Sequence, residues 1–412
     1  MNFEFYIARK LVNSKFHKNS VSAPIIKIGI TAIAISTVVM LVSLALSMGL
    51  QKKIREKAVA FNGHIMISNF NSNTSEGNQT PINLEQSFYP NFNNIQGISH
   101  IQGVSHKFGI IRTENDFEGV FIKGVGVDYD WKYFKQFLLS GRLPFYSTSY
   151  SDEVIISQYL ADRLGFNIND SFQMYFLKSD SSRPPSVMKF SIVGIFNSGF
   201  TELDKTFIIG DLKHIQRLNK WSKNQVGQFE VFIDDFDLLE VKGSEVYSEI
   251  PSMLDSQTIK QKYPVIFEWI SIFDKNSYVI IAMMILVGVI NMITALLVLI
   301  LERTKMIGIL KSLGCNNWSL QKVFLYMAGY LIVFGLSIGN FVGLFLILIQ
   351  KYCSPISLNP SIYYVSIAPV QINFLTIIVL NVLTFSICLF VMVLPSYLIS
   401  KISPIKAIRF DS

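Results

Sequence analysis

The stretch ERTKMIGILKSLGCNNWSLQKV, residues 302–323, decides the fold. It lies between two long apolar runs, 276–301 and 323–350, and neither run contains an Asp, Glu, Lys or Arg. About 20 apolar residues rising about 1.5 Å each cross a bilayer, so both runs are long enough to span one. The charged stretch then lies at a membrane face. Arg303, Lys305, Lys311 and Lys322 against Glu302 make that face the cytoplasmic one. Met306, Ile309, Leu310 and Leu313 recur at helical spacing and predict one apolar face. Thr304, Lys305, Gly308, Lys311 and Ser312 fall opposite. Gly314 ends this helix, and Asn316 or Asn317 caps the next. Such a short amphipathic helix either rests on lipid headgroups or docks on a partner protein.

Outward from it, the rest of the chain falls into order. The 412 residues are 50% hydrophobic and 16% charged, with mean hydropathy +0.39, which suits a membrane protein with one substantial water-exposed part. The net charge of +7 gathers beside the apolar runs, and no aromatic-and-basic or zinc-finger motif accompanies it, so nucleic acid is not an expected partner. Cys315, Cys353 and Cys388 lie in or beside the apolar runs without metal-ligand spacing, and no disulfide framework is expected. Residues 1–27 are apolar-rich and basic and predict an interfacial helix at the cytoplasmic surface. Residues 28–51 form the first span. A cleaved signal peptide is the competing reading, but its apolar core would be about 7–15 residues, and here QKKIREKAVAF continues the helix outward at once. The second span is 276–301, the third 323–350 and the fourth 371–400. Residues 302–322 form the cytoplasmic connection, 351–370 an outer loop and 401–412 a cytoplasmic tail. Four spans put both termini inside and residues 52–275 outside.

In the third span Gly335, Gly339 and Gly343 recur every fourth residue. That small-residue stripe lets another helix approach closely, either within the same chain or across a subunit interface. Residues 52–275 mix short alternating strands with helical patterns and lack a strict βαβ rhythm. The class expected is therefore α+β, set between spans 1 and 2. Two strand-like runs, 171–178 and 187–196, are joined by SDSSRPPS, where Pro184 and Pro185 cannot serve a sheet interior. That segment reads as an exposed turn. No P-loop pattern occurs, so ATP hydrolysis is not expected of this chain. The histidines lack metal-protease spacing and no catalytic set is identified.

The pattern E-R-T-x-x-I-G-I-L-x-x-L-G followed by a membrane-entering helix resembles the coupling helix of four-span ABC-transporter permeases. That superfamily includes lipoprotein-releasing, macrolide-exporter-like and cell-division permeases. Met48-Gly49-Leu50-Gln51-Lys52, Phe61-Asn62-Gly63-His64-Ile65 and the terminal LPSYLISKISPIKAIRFD resemble the lipoprotein-releasing group in particular. The resemblance implies a permease subunit in a bacterial inner membrane, multi-pass, that extracts lipoproteins and passes them to a periplasmic carrier. It implies a cytoplasmic ABC ATPase dimer and a second permease subunit, homologous or identical, as partners, with lipoprotein substrate and membrane lipid between them. ATP and magnesium would belong to the ATPase. Glu302, Arg303, Met306, Ile309, Leu310 and Leu313 would dock that ATPase. Arg183, Pro184 and Pro185 would form a hook for the carrier. Met40, Leu44, Met48, Ile285 and Val289 would line the substrate cleft. The periplasmic domain would split as in macrolide exporters, one lobe from about 60–128 plus 225–262 and a second inserted between. An exporter of peptides or small hydrophobic compounds, and a regulator that passes ATPase motion to a cell-wall hydrolase, are the rival readings.

Overall fold

The computed structural model describes residues 4–8, 22–70, 79–114, 116–147, 149–177, 184–359, 363 and 365–402. It divides into two compact units, a helical one (Met1–Gln51, Trp269–Ser357, Ile367–Ser412) and a mixed one (Lys52–Glu268, Leu358–Ser366). Most of the interfacial-helix segment and most of the tail lie outside the described residues. Residues 4–8 are helical.

Among the described residues four helices are long and apolar enough to cross a membrane: Ile26–Asn62, Pro264–Glu302, Asn317–Cys353 and Phe374–Lys401. The first three exceed their apolar runs. The first helix, Ser22–Asn62, continues through the charged segment after Gln51, where Lys53 and Glu56 pair at 2.8 Å one turn apart. That exposed pair contributes a few tenths of a kcal/mol, about 0.3–0.5. The second helix starts at Pro264, a residue whose fixed φ and missing N–H suit a first helical turn. The spans share one core that includes Met40, Leu41, Met292, Leu296, Phe324 and Leu331.

The glycine stripe packs within the chain. A Cβ at Gly339 would stand 2.6 Å from Thr37 Cβ and 2.7 Å from the Ala34 carbonyl. Gly335 and Gly343 face Ile33 and Leu41 of the same first helix. The third and fourth spans are joined by a reciprocal amide pair: Asn340 Nδ2 donates to Asn381 Oδ1 at 2.7 Å, and Asn381 Nδ2 to Asn340 Oδ1 at 3.0 Å. Each amide also bonds a carbonyl of its own helix, so the pair is well satisfied and fixes the register of the two spans. Buried Gln350 holds the start and end of the outer loop through Ile356 and Ala368.

The mixed unit is built on strands β1 (Ile65–Asn69), β2 (Ile82–Asn83), β3 (Ile98–Arg112), β4 (Phe117–Val125), β5 (Leu138–Gly141), β6 (Glu153–Ser157), β7 (Ser171–Phe176), β8 (Ser186–Phe196), β9 (Phe207–Asp211), β10 (Gln225–Val226), β11 (Gln228–Ile233) and β12 (Leu254–Thr258). Ten form one sheet in the order β12-β1-β11-β3-β4-β9-β6-β8-β5, with β7 paired to β3 and β8. The pairs β4·β9 and β6·β8 are parallel and most of the rest antiparallel, so the domain is α+β. Two apolar clusters lie on this sheet. One gathers Ile65, Ile67, Phe229, Val231 and Val246. The other gathers Val120, Ile122, Phe172, Phe190 and Ile208. Strands β3 and β4 run from one toward the other, so the expected lobes are two ends of a single sheet.

Local pattern explains the elements that the sequence reading places and those it misses. Glu153–Ser157 carries the short β-branched run Val154-Ile155-Ile156, buried throughout, and turns into the helix Gln158–Leu164 at Ser157, whose Oγ accepts from Leu160 N. By contrast, β3 runs from Ile98 to Arg112 with little apolar alternation at its start. Its first half carries Gln102, Ser105 and His106, all buried. β12 has Leu254 as its only large apolar residue, so periodicity gives no sign of it.

Candidate functional site

The connection between the second and third spans folds as the helix Thr304–Ser312. Thr304 starts it by turning its Oγ1 back onto the Leu301 carbonyl at 2.6 Å, fastening it to the end of the second span. Gly314 ends it. With φ +91 it takes the left-handed conformation that a side chain disfavours, while Leu313 N bonds the Ile309 carbonyl and Cys315 N the Leu310 carbonyl. The third span then opens at Asn316, which has the extended backbone of an N-cap but makes no side-chain capping bond.

One side of this helix is held by the spans. Ile307 is fully buried, Gly308 is buried, and Leu310 and Cys315 pack against the span core. Lys311 reaches the end of the fourth span, where its Nζ donates to the carbonyls of Ile399 (2.7 Å), Ser400 (3.2 Å) and Ile402 (2.9 Å). These are the carbonyls that a helix end leaves without intrahelical donors, and a cation there also complements the helix dipole. Burial draws the Lys311 ammonium below the ordinary lysine pKa.

The other side is open. Leu313 is 79% exposed, Ile309 47%, and Leu301 and Trp318 are also exposed. Glu302 and Lys305 are exposed beside them, while Arg303 and Met306 are half-buried. The apolar face expected of Met306, Ile309, Leu310 and Leu313 is thus divided. Leu310 turns inward with Ile307, and Ile309 and Leu313 turn outward. Gly308 and Lys311, expected on the solvent side, face the protein. The sequence did hold a signal for this: Ile307 and Leu310 form a second apolar row three residues apart, and a lysine between apolar rows can reach a neighbouring helix end.

The other predicted residues are spread over the chain. Met40 is fully buried, and Ile285 and Val289 nearly so, all within the core shared by the spans. Leu44 packs against that core and Met48 is half-buried. Of the residues expected to line a cleft, Met40, Ile285 and Val289 are thus covered by the chain's own helices. Residues of the same two spans that face outward include Ile35, Val39, Leu286 and Ile290. In the mixed unit β7 and β8 pair antiparallel from Ser171↔Ser191 to Phe176↔Ser186, which makes the hairpin real. Pro184 and Pro185 are exposed immediately before β8. Arg183 lies outside the described residues.

Comparison with known proteins gives two family matches. Residues 28–240 match the MacB-like periplasmic core domain, and residues 278–404 match the FtsX-like permease C-terminal region. Among curated relatives, the chain is 21% identical over 379 residues to "Lipoprotein-releasing system transmembrane protein LolC" of Buchnera aphidicola subsp. Schizaphis graminum, covering 87% of this chain and 86% of that one. It is 19% identical to LolE of Haemophilus influenzae, covering 99% of both chains. An uncharacterized membrane protein of the same Buchnera is 25% identical, and there the match covers 63% of this chain and 65% of the relative. Among solved structures, the periplasmic region of MacB from Actinobacillus actinomycetemcomitans aligns over 50% of this chain and 95% of that one, at 13% identity and a TM-score of 0.34.

Proposed function

We infer that this chain, which belongs to the permease family joining a MacB-like periplasmic core domain to an FtsX-like permease region, works as the membrane subunit of a lipoprotein-releasing transporter. That it is a multi-pass ABC permease follows from the family and from the four long apolar helices. The finer reading is that a separate ATPase docks on the helix Thr304–Ser312. The observation carrying it is that helix's division into a side fixed to the spans and an open apolar side. A helix lying on headgroups needs an apolar side but gains nothing from being locked to the end of the fourth span. A helix that passes force from a partner needs both. Full-length similarity to LolC and LolE proteins supports lipoprotein as the substrate, handed on to a periplasmic carrier. In this reading the membrane is the bacterial inner membrane, both termini are cytoplasmic, and ATP with magnesium sits in the partner. A second permease subunit completes the cleft, with the outward residues Ile35, Val39, Leu286 and Ile290 facing it or lipid.

Topology tests the arrangement directly. In spheroplasts, a cysteine placed within 71–78 should react with an impermeant maleimide, and one at Ser312 only after permeabilisation. The opposite pattern would refute the inside–outside assignment. Identification of the polypeptides that co-purify with the full chain tests the assembly. An ATPase, a second permease and a bound lipoprotein are expected, whereas a cell-wall hydrolase in their place would overturn the substrate reading.

The β7–β8 hairpin is the proposed carrier contact. Two consecutive prolines hold φ near −65° and make a stiff, extended segment. Stiffness lowers the ordering cost of binding, about 0.5–1.5 kcal/mol per immobilised side chain. Changing Arg183 to Glu and both prolines to Gly is expected to weaken carrier binding about tenfold or more with little loss of stability, because a surface tip carries little packing. Unchanged affinity in a titration against purified carrier would make the hairpin an ordinary turn.

A further inference from the structure

The mixed unit contains a buried ionic cluster placed where the first two membrane helices end. Lys123 on β4 and Glu230 on β11 are each at most 1% exposed and pair at 2.7 and 2.9 Å. Gln102 on β3 donates to the same carboxylate at 2.8 Å. The third partner of Lys123 is not a side chain. Its Nζ donates at 2.6 Å to the carbonyl of Phe61, in the last turn of the helix Ser22–Asn62. One residue on, buried Asn62 accepts at Oδ1 from Lys262 Nζ (3.1 Å) and from the Tyr263 hydroxyl (3.2 Å). Tyr263 immediately precedes Pro264, the first residue of the second long helix. The end of one membrane helix is therefore tied to the middle of the sheet by charged and polar groups shielded from water, and to the start of the next helix by the half-buried Lys262 and Tyr263.

A buried ion pair is a costly way to fill a core, because apolar residues of similar volume often serve stability as well or better. Apolar residues cannot, however, hold a helix-end carbonyl, which needs a donor, or link two helix ends at a fixed register. We propose that Lys123, Glu230, Asn62 and Tyr263 form a transmission joint, which makes the ends of the first and second membrane helices move with the sheet as one body. The four act as positioning residues. Their part in transport rests on the reading of the chain as an ATPase-driven permease, whereas the joint itself does not.

The test uses the full chain in nanodiscs, with Cys315, Cys353 and Cys388 replaced by Ser. Spin labels go at Lys53 on the first helix and Asp162 on the helix Gln158–Leu164, both surface positions. The natural sequence should give a narrow distance distribution. K123M/E230M removes the charges while keeping apolar volume, and N62A/Y263F cuts the helix–helix link while keeping the ion pair. In each the narrow distribution should be lost, and amides 58–64 should exchange about tenfold faster, while the rest of the sheet keeps its protection. Because the two variants break different bonds, failure of one to fold leaves the other decisive. Unchanged distributions and exchange in a folded variant would overturn the joint and leave the permease reading intact. With the ATPase bound, ATP should shift the distance between Asp162 labels on two permease subunits in the natural sequence and not in the variants. An equal shift in both would overturn the transmission role.

Discussion

In the I309D/L313D variant, co-purification of the ATPase should be lost while the chain still inserts and folds. Both side chains stand on the open side of Thr304–Ser312, Leu313 almost wholly so, and neither belongs to the buried span core. Fully burying each against a partner contributes about 1.5–3 kcal/mol. Ile309 is already half covered, so removing both costs about 2–4 kcal/mol, or about one and a half to three decades in affinity at about 1.4 kcal/mol per tenfold. Buried carboxylates left unpaired weaken binding further. Leu310 is the informative control. It packs on the spans, so L310D should reduce the amount of folded chain, and any loss of ATPase should follow that loss. Sedimentation of the chain with its ATPase, beside a folding assay for each variant, separates the two. Normal ATPase binding by folded I309D/L313D would remove this face from the interface.

The second large effect is expected in the third span. G339L places a side chain where even a Cβ would lie 2.6 Å from Thr37 Cβ and 2.7 Å from the Ala34 carbonyl. A side-chain tip could swing away, but a helix backbone cannot, so the first and third spans must separate. Overpacking at a yielding site costs about 1–3 kcal/mol, and the upper end or beyond applies here. Gly329, on the same helix, meets only the tip of Leu389 at 3.8 Å, and G329L should be tolerated. Thermal unfolding in detergent should show a large fall in midpoint for G339L and a small one for G329L. Equal midpoints would mean that the first and third spans do not pack through this stripe.

The contrast between these sites shows how much the sequence disclosed. Long uncharged runs announce spans because nothing else in a protein needs them, and the amphipathic period of 302–323 announces the connecting helix. Strands such as Ser171–Phe176 alternate cleanly and are legible for the same reason. Which apolar residues of 302–323 face out is legible only in part, through the second apolar row of Ile307 and Leu310. The answer depends on Lys311 finding the carbonyls of Ile399, Ser400 and Ile402, nearly ninety residues away. That Met40, Ile285 and Val289 are covered by the chain's own helices is not legible either, because an all-apolar helix carries no mark of which side meets its neighbours. The buried cluster was the least legible. Lys123 and Glu230 are ordinary charged residues in sequence, 107 positions apart, and only the order β11-β3-β4 brings them together. Gln102, Ser105 and His106 conceal the first half of β3 in the same way, being polar residues in a buried strand.

A photo-crosslinking residue at Leu313, activated in intact cells, asks whether an ATPase sits on the open side of the helix Thr304–Ser312. One dominant adduct with a polypeptide bearing a P-loop is expected, and no such adduct from the same residue at Ile307, which is buried against the spans. Crosslinks to lipid alone at 313, or an equal ATPase adduct at 307, would contradict that placement.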